Sequence, residues 1–131
     1  MLSYIYVHRL LRINTVFFEV IIVMSLPNEP DAALKELRPF LDSEQRLTAM
    51  PSKHRKKLLA LWYLAQKLDG GQTYTEAEIN DCLNAWALFG DPATLRRELY
   101  NKMLLNRTND CKTYWKADII PPLPDFLARY L

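Results

Sequence analysis

The sequence predicts an α+β fold, mostly helical, on three observations. An apolar stripe of helical period runs from Leu58 to Leu68. Two sharply marked helix starts follow, one at Thr75 and one at Asp91. Two β-rich runs, Leu104–Thr108 and Thr113–Lys116, then flank an Asn109-Asp110 turn signal. With Gln72-Thr73-Tyr74 as one short extended piece, the order is helix, short strand, helix, helix, β-hairpin. That is the order of a winged helix-turn-helix with a C-terminal β-hairpin wing.

Four regions are expected. Residues 1–24, MLSYIYVHRLLRINTVFFEVIIVM, are apolar but interrupted by His8, Arg9, Arg12 and Glu19. Their uncharged runs fall short of the roughly 20 apolar residues a bilayer span needs. No small-residue cleavage site follows. Ordinary composition begins so abruptly after them that Met24 is the expected start of the protein. An added strand or helix packed on the domain, and an interfacial anchor, are the alternatives.

Residues 25–49 read as an N-terminal helical arm. A helix over 31–38 would be capped by Asp31 and ended by Pro39, with a further turn at 43–48. Residues 50–118 are the expected winged-helix domain. Its first helix follows Pro51, is capped by Ser52 and turns Leu58, Leu61, Trp62, Ala65 and Leu68 to one side until Gly70-Gly71. Thr75 and Glu78 form a capping box, with Tyr74 and Ile79 as the hydrophobic staple. Asp91 caps the next helix, Pro92 takes its first position, and the helix runs to about Met103. Residues 119–131 read as a Pro-rich C-terminal tail with a short helix at Phe126–Leu131.

The formal charge of +2 decides little, but its distribution is patterned. Lys53, Arg55, Lys56 and Lys57 cluster at the start of the first long helix, where cations are mildly unfavourable. Such a cluster hints at an anionic partner. Glu76, Glu78, Asp81 and Asp91 make the next segment acidic, and six basic against three acidic residues make 92–118 basic again.

Cys82 and Cys111 lie without CxxC spacing, which suits one core thiol and one surface thiol in a reducing cytoplasm. No Walker loop or GxGxxG occurs. No nucleophile–base constellation can be assembled, and His54 falls on the core side of its helix. The chain is therefore expected to be no enzyme, with no catalytic residues, metal or cofactor.

The pieces MPSKHRKKLLALWYLAQKL (50–68), YTEAEIN (74–80), DPATLRREL (91–99), LLNR (104–107) and YWK (114–116) occur in one order and spacing. Together they make Met50–Lys116 resemble the prokaryotic domain of unknown function 2087 family. The resemblance implies a winged-helix-like module of regulatory role and no assigned reaction. The chain departs from the family pattern at Met103, where glycine is common, and at Asn109-Asp110-Cys111, where Asp-Gly is frequent.

On the wheel of DPATLRREL, Arg96 falls inside the apolar stripe of Leu95, Leu99 and Met103, with Ala93 and Tyr100 widening it. A buried guanidinium demands a partner, and Glu78 is the expected one, Asp81 the next. A phosphate clamp is the alternative role for Arg96. Arg97 falls on the opposite face with Thr94 and Asn101, flanked by Glu98 and Lys102. In a helix-turn-helix those residues meet base edges, where Arg reads guanine and Asn reads adenine. Arg107, Lys112 and Lys116 on the wing, and Lys53 and Lys56 on the first long helix, would follow the phosphate backbone. An ordinary solvated face is the alternative.

The expected function is a cytoplasmic DNA-binding transcriptional regulator, or a module of one, acting on double-stranded DNA, with a homodimer or protein partner open and no membrane. A winged helix used only for protein contact is the second reading, and a ligand- or stress-responsive accessory domain the third.

Overall fold

The computed structural model describes residues 30–131. The apolar segment 1–24 and the expected start at Met24 lie outside the described residues. Along the chain run α1 (Pro30–Leu34), a 3₁₀ helix (Lys35–Phe40), α2 (His54–Gln66), β1 (Thr73–Thr75), α3 (Glu76–Trp86), α4 (Pro92–Asn101), β2 (Leu105–Arg107), β3 (Thr113–Lys116) and α5 (Leu123–Tyr130). The described residues thus form the α+β class the sequence predicts, with five α-helices and a three-stranded antiparallel sheet. Strand order is β1-β3-β2, so β3 is central. Tyr74 stands opposite Tyr114, and Asn106 opposite Trp115.

α2 is the axis of the core. Leu58, Leu59, Ala60, Leu61 and Trp62 are buried in unbroken succession, followed by Leu64 and Ala65. A helix apolar on every side needs neighbours on every side. The sequence stripe accounts for one face only. The burial of Leu59, Ala60 and Leu64 reflects α1, the 3₁₀ helix and α5, which also pack on α2. Leu37 and Leu47 enter the core from the arm, and Leu123, Phe126 and Leu127 from α5.

Residues 119–131 are therefore not a separate tail. The Trp62 indole donates to the Pro121 carbonyl at 3.0 Å, and the Tyr130 hydroxyl donates to the Lys102 carbonyl at 3.0 Å. The arm is likewise stitched in: Leu47 accepts from Leu88 N–H and donates to the Trp86 carbonyl, each at 2.8 Å.

Local chemistry sets the helix starts. At α3 the Thr75 hydroxyl accepts from Glu78 N–H at 3.2 Å while the Glu78 carboxylate accepts from Thr75 N–H at 2.9 Å. Tyr74 and Ile79, the staple pair, are both buried. At α4 the Asp91 carboxylate accepts from Thr94 N–H at 3.3 Å.

Elsewhere the boundaries differ from expectation. Asp31 lies inside α1, and the arm continues through Pro39 because a tighter 3₁₀ helix replaces the α-helix after Leu34. Residues 43–48 make no helical turn. Asp42 organises them as a loop by accepting from Glu44 and Arg46 N–H groups at 2.9 and 2.8 Å. α2 begins at His54, behind Lys53, without a side-chain cap.

The end of α4 carries strain. Leu104 N–H donates to the Leu99 carbonyl at 2.9 Å and Met103 N–H to the Tyr100 carbonyl at 3.0 Å. These are the paired bonds of a Schellman stop. Its left-handed position is Met103, at φ 59°, where a side chain clashes with the backbone. Cys111 in the hairpin turn has the same φ of 59°. Met103 and Cys111 are thus two left-handed positions filled by L side chains.

Met103 is 64% exposed, so its removal forfeits little burial. Met103→Gly should raise stability by about 1 kcal/mol, or about 3–5 °C in a thermal melt of a domain this size. An unchanged or lower melting temperature would contradict the strain.

Candidate functional site

Arg96 and Arg97 are neighbours on α4 with opposite environments. The Arg96 side chain is only 15% exposed. Its Nη1 donates to Asn80 Oδ1 at 3.0 Å and pairs with Glu76 Oε1 at 3.1 Å, both on α3. Its guanidinium carbon also stands 5.6 Å from the Tyr114 ring centroid on β3. One side chain thus ties α4 to α3 and to the sheet.

The expected partner, Glu78, is not the one used. Its carboxylate closes the capping box, and Glu76, two residues earlier in the first turn, meets Arg96 instead. Asp81 forms no ion pair among the described residues.

Thr94, Arg97 and Asn101 are all exposed on the outer side of α4. Arg97 has no carboxylate within ion-pair distance among the described residues. Three positions the wheel put in the apolar stripe are also exposed. These are Met103, Ala93 and Tyr100, and the Tyr100 ring carries the Arg107 guanidinium at 4.3 Å. Stacking of this kind holds a long cation in place without neutralising it.

The other expected contacts divide. Arg107 on β2 is half-buried and donates to the Thr108 carbonyl at 3.2 Å. Lys112 is exposed in the hairpin turn, before β3 begins. Lys116 lines a different cleft, with Thr73 and Asp118. Lys102 is committed internally: its ammonium pairs with Glu98 at 3.8 Å and sits 5.4 Å from the Tyr130 ring centroid.

Arg96, Arg97, Tyr100, Asn101, Arg107 and Tyr114 converge on one cleft of about 260 Å³ between α4 and the hairpin. It was not foreseen as a unit, because its halves come from separate elements. The wheel did place Arg96 and Arg97, but only the packed structure brings Arg107 beside them.

The basic start of α2 approaches the other end of α4 through Tyr130. The Tyr130 carbonyl lies 2.8 Å from His54 Nε2, and its hydroxyl donates to the Lys102 carbonyl at 3.0 Å. His54 is thus exposed and bonded to α5, not turned to the core. Lys53 is exposed, whereas Lys56 lies half-buried with its ammonium 5.9 Å from the Phe40 ring centroid. Arg55 is held by Glu36 at 3.0 Å.

Cys82 and Cys111 are both half-buried, so neither fits the expected core or surface thiol. Burial pushes the Cys82 thiol up, and nearby Asp69 adds to the shift. Among the described residues no group of three or more His, Cys, Asp or Glu could hold a metal ion. No helix among them is long and apolar enough to cross a membrane.

In the hairpin turn, the Thr108 hydroxyl donates to Asp110 at 2.6 Å and Lys112 N–H donates to it at 3.1 Å. These bonds favour the carboxylate and hold Asp110 below its ordinary value, the hydroxyl first. A carboxyl lowered on folding stabilises above its unfolded value, and that stability is lost as pH falls through the folded one. Between neutral pH and the region below about 3.9, the wild type should therefore lose more thermal stability than Asp110→Asn. Parallel melting curves across that range would contradict the assignment.

A bacterial family described as an uncharacterized protein conserved in bacteria, DUF2087, matches residues 46–116, more than half of the chain. No curated protein and no solved structure matches.

Proposed function

The chain belongs to this bacterial family, and we propose that it is a DNA-binding regulator, or a module of one, of winged-helix type. In this reading α4 enters the major groove and the β2–β3 hairpin is the wing. The order α2, β1, α3, α4, β2, β3 supports it, as does a sheet in which β1 and β2 both pair with β3.

The observation that carries the reading is the contrast on α4. Arg96 is paired through Nη1 with Glu76 and Asn80, while Arg97 stands exposed beside Thr94 and Asn101 with no acidic partner among the described residues. Arg and Asn at such positions can pair bidentately with guanine and adenine edges. Of the acids that would repel a phosphate backbone, three are engaged, while Asp81 is exposed with no ion pair among the described residues. Glu76 is paired with Arg96, Glu78 closes the α3 cap, and Asp91 caps α4. Lys53 and Lys112 are both exposed, which leaves them open to phosphate contact in this reading.

Fluorescence anisotropy with a mixed-sequence duplex over a salt series tests the proposal. Log K should fall with log salt by about 0.9 per phosphate neutralised. Arg97→Ala/Asn101→Ala should weaken binding at least about tenfold without changing the melting temperature. Absence of binding by the folded protein at low salt would overturn the proposal and leave protein contact as the use of the fold.

A further inference from the structure

We infer that the cleft between α4 and the hairpin is a binding site for a single phosphate group. Three guanidinium groups, those of Arg96, Arg97 and Arg107, line one recess of about 260 Å³. Only Arg96 has a carboxylate partner among the described residues, Glu76. Like charges gathered this way repel unless an anion joins them.

The arginines are also held for use. Arg96 lies near Tyr114 at 5.6 Å beside its Glu76 partner, and Arg107 lies over Tyr100 at 4.3 Å with no carboxylate partner among the described residues. Arg96 spends Nη1 on Asn80 and Glu76, and Arg107 spends Nη1 on the Thr108 carbonyl. The remaining guanidinium nitrogens of both have no hydrogen-bond acceptor among the described residues. Planar arginine forks match phosphate oxygens two at a time, which a lysine cannot do. The recess lies below the roughly 300 Å³ at which pockets for whole drug-sized ligands begin. It therefore suits a phosphate and the first group attached to it.

Two sources carry that chemistry: an internucleotide phosphate of duplex DNA, and the phosphomonoester of a small molecule. The first rests on the DNA-binding reading above; the second stands without it.

Calorimetry of the full chain with inorganic phosphate and with ribose 5-phosphate, at ionic strength matched with sodium chloride, separates them when paired with duplex anisotropy. Arg107→Gln removes one fork, Arg97→Gln removes the exposed one, and Lys35→Gln, exposed on the 3₁₀ helix, is the control. If a small molecule is the source, inorganic phosphate or ribose 5-phosphate binds. That binding weakens about tenfold in both arginine variants and not in the control. If the DNA backbone is the source, the free phosphates do not bind, and Arg107→Gln lowers the duplex salt slope by about one. Should Arg107→Gln melt early, Arg107→Lys replaces it, keeping the charge but not the fork.

The inference is overturned if no free phosphate binds and the duplex slope is indifferent to Arg107. Duplex binding that depends on Asn101 but not on Arg107 overturns the cleft and spares the DNA reading. Free phosphate binding without duplex binding does the reverse.

Discussion

The arrangement of the second half of the molecule depends on one half-buried cation, Arg96. A guanidinium as recessed as Arg96 is costly unless its charge and its donors are met. Glu76 meets the charge, Asn80 takes a donor, and the Tyr114 ring lies beneath the plane. Those three partners sit on α3 and β3. Satisfying one residue of α4 therefore sets α4 against both elements at once. The apolar contacts of Leu95 and Leu99 with the core supply the burial, but they are non-directional. The arginine adds the directional part.

With α4 held there, the identity of its outer face follows from helical geometry. Successive residues are about 100° apart, so a residue following an inward arginine must turn away. Arg97 is turned to solvent with Thr94 and Asn101, and the hairpin brings Arg107 to the same side. The acidic first turn of α3, which looks hostile to an anionic partner in the sequence, is internally committed through Arg96 and the capping box. Arg97 and Arg107 have no carboxylate partner among the described residues. Both the proposed DNA contact and the proposed phosphate site draw on these cations.

Much of this was legible in the sequence where short-range rules apply. The Thr75–Glu78 box, the Asp91-Pro92 start and the inward turn of Arg96 depend on residues within one or two turns of each other, and each stands as read. The partner of Arg96 was misread, although the same box held the clue: a Glu78 carboxylate bonded to its own helix start is no longer available to a neighbour. The all-round burial of α2 and the docking of α5 were out of reach. They depend on residues such as Leu37 and Phe126 arriving from more than 15 positions away in the chain. Arg107 on Tyr100 was hidden for the same reason, since the pair joins a strand to a helix. The hairpin, by contrast, was announced by composition, and its left-handed Cys111, like Met103 at the end of α4, was marked only as a departure from the pattern the resemblance implies.

The central claim is that adjacent arginines are divided between architecture and contact. Paired thermal melts of Arg96→Gln and Arg97→Gln test it most directly. Loss of the Arg96 network, with Glu76 left half-exposed, should cost about 1–2 kcal/mol and lower the melting temperature by about 3–6 °C. Arg97→Gln should leave it within about 1 °C, as for a surface residue with no partner. Equal losses, or a larger loss from Arg97→Gln, would contradict the division.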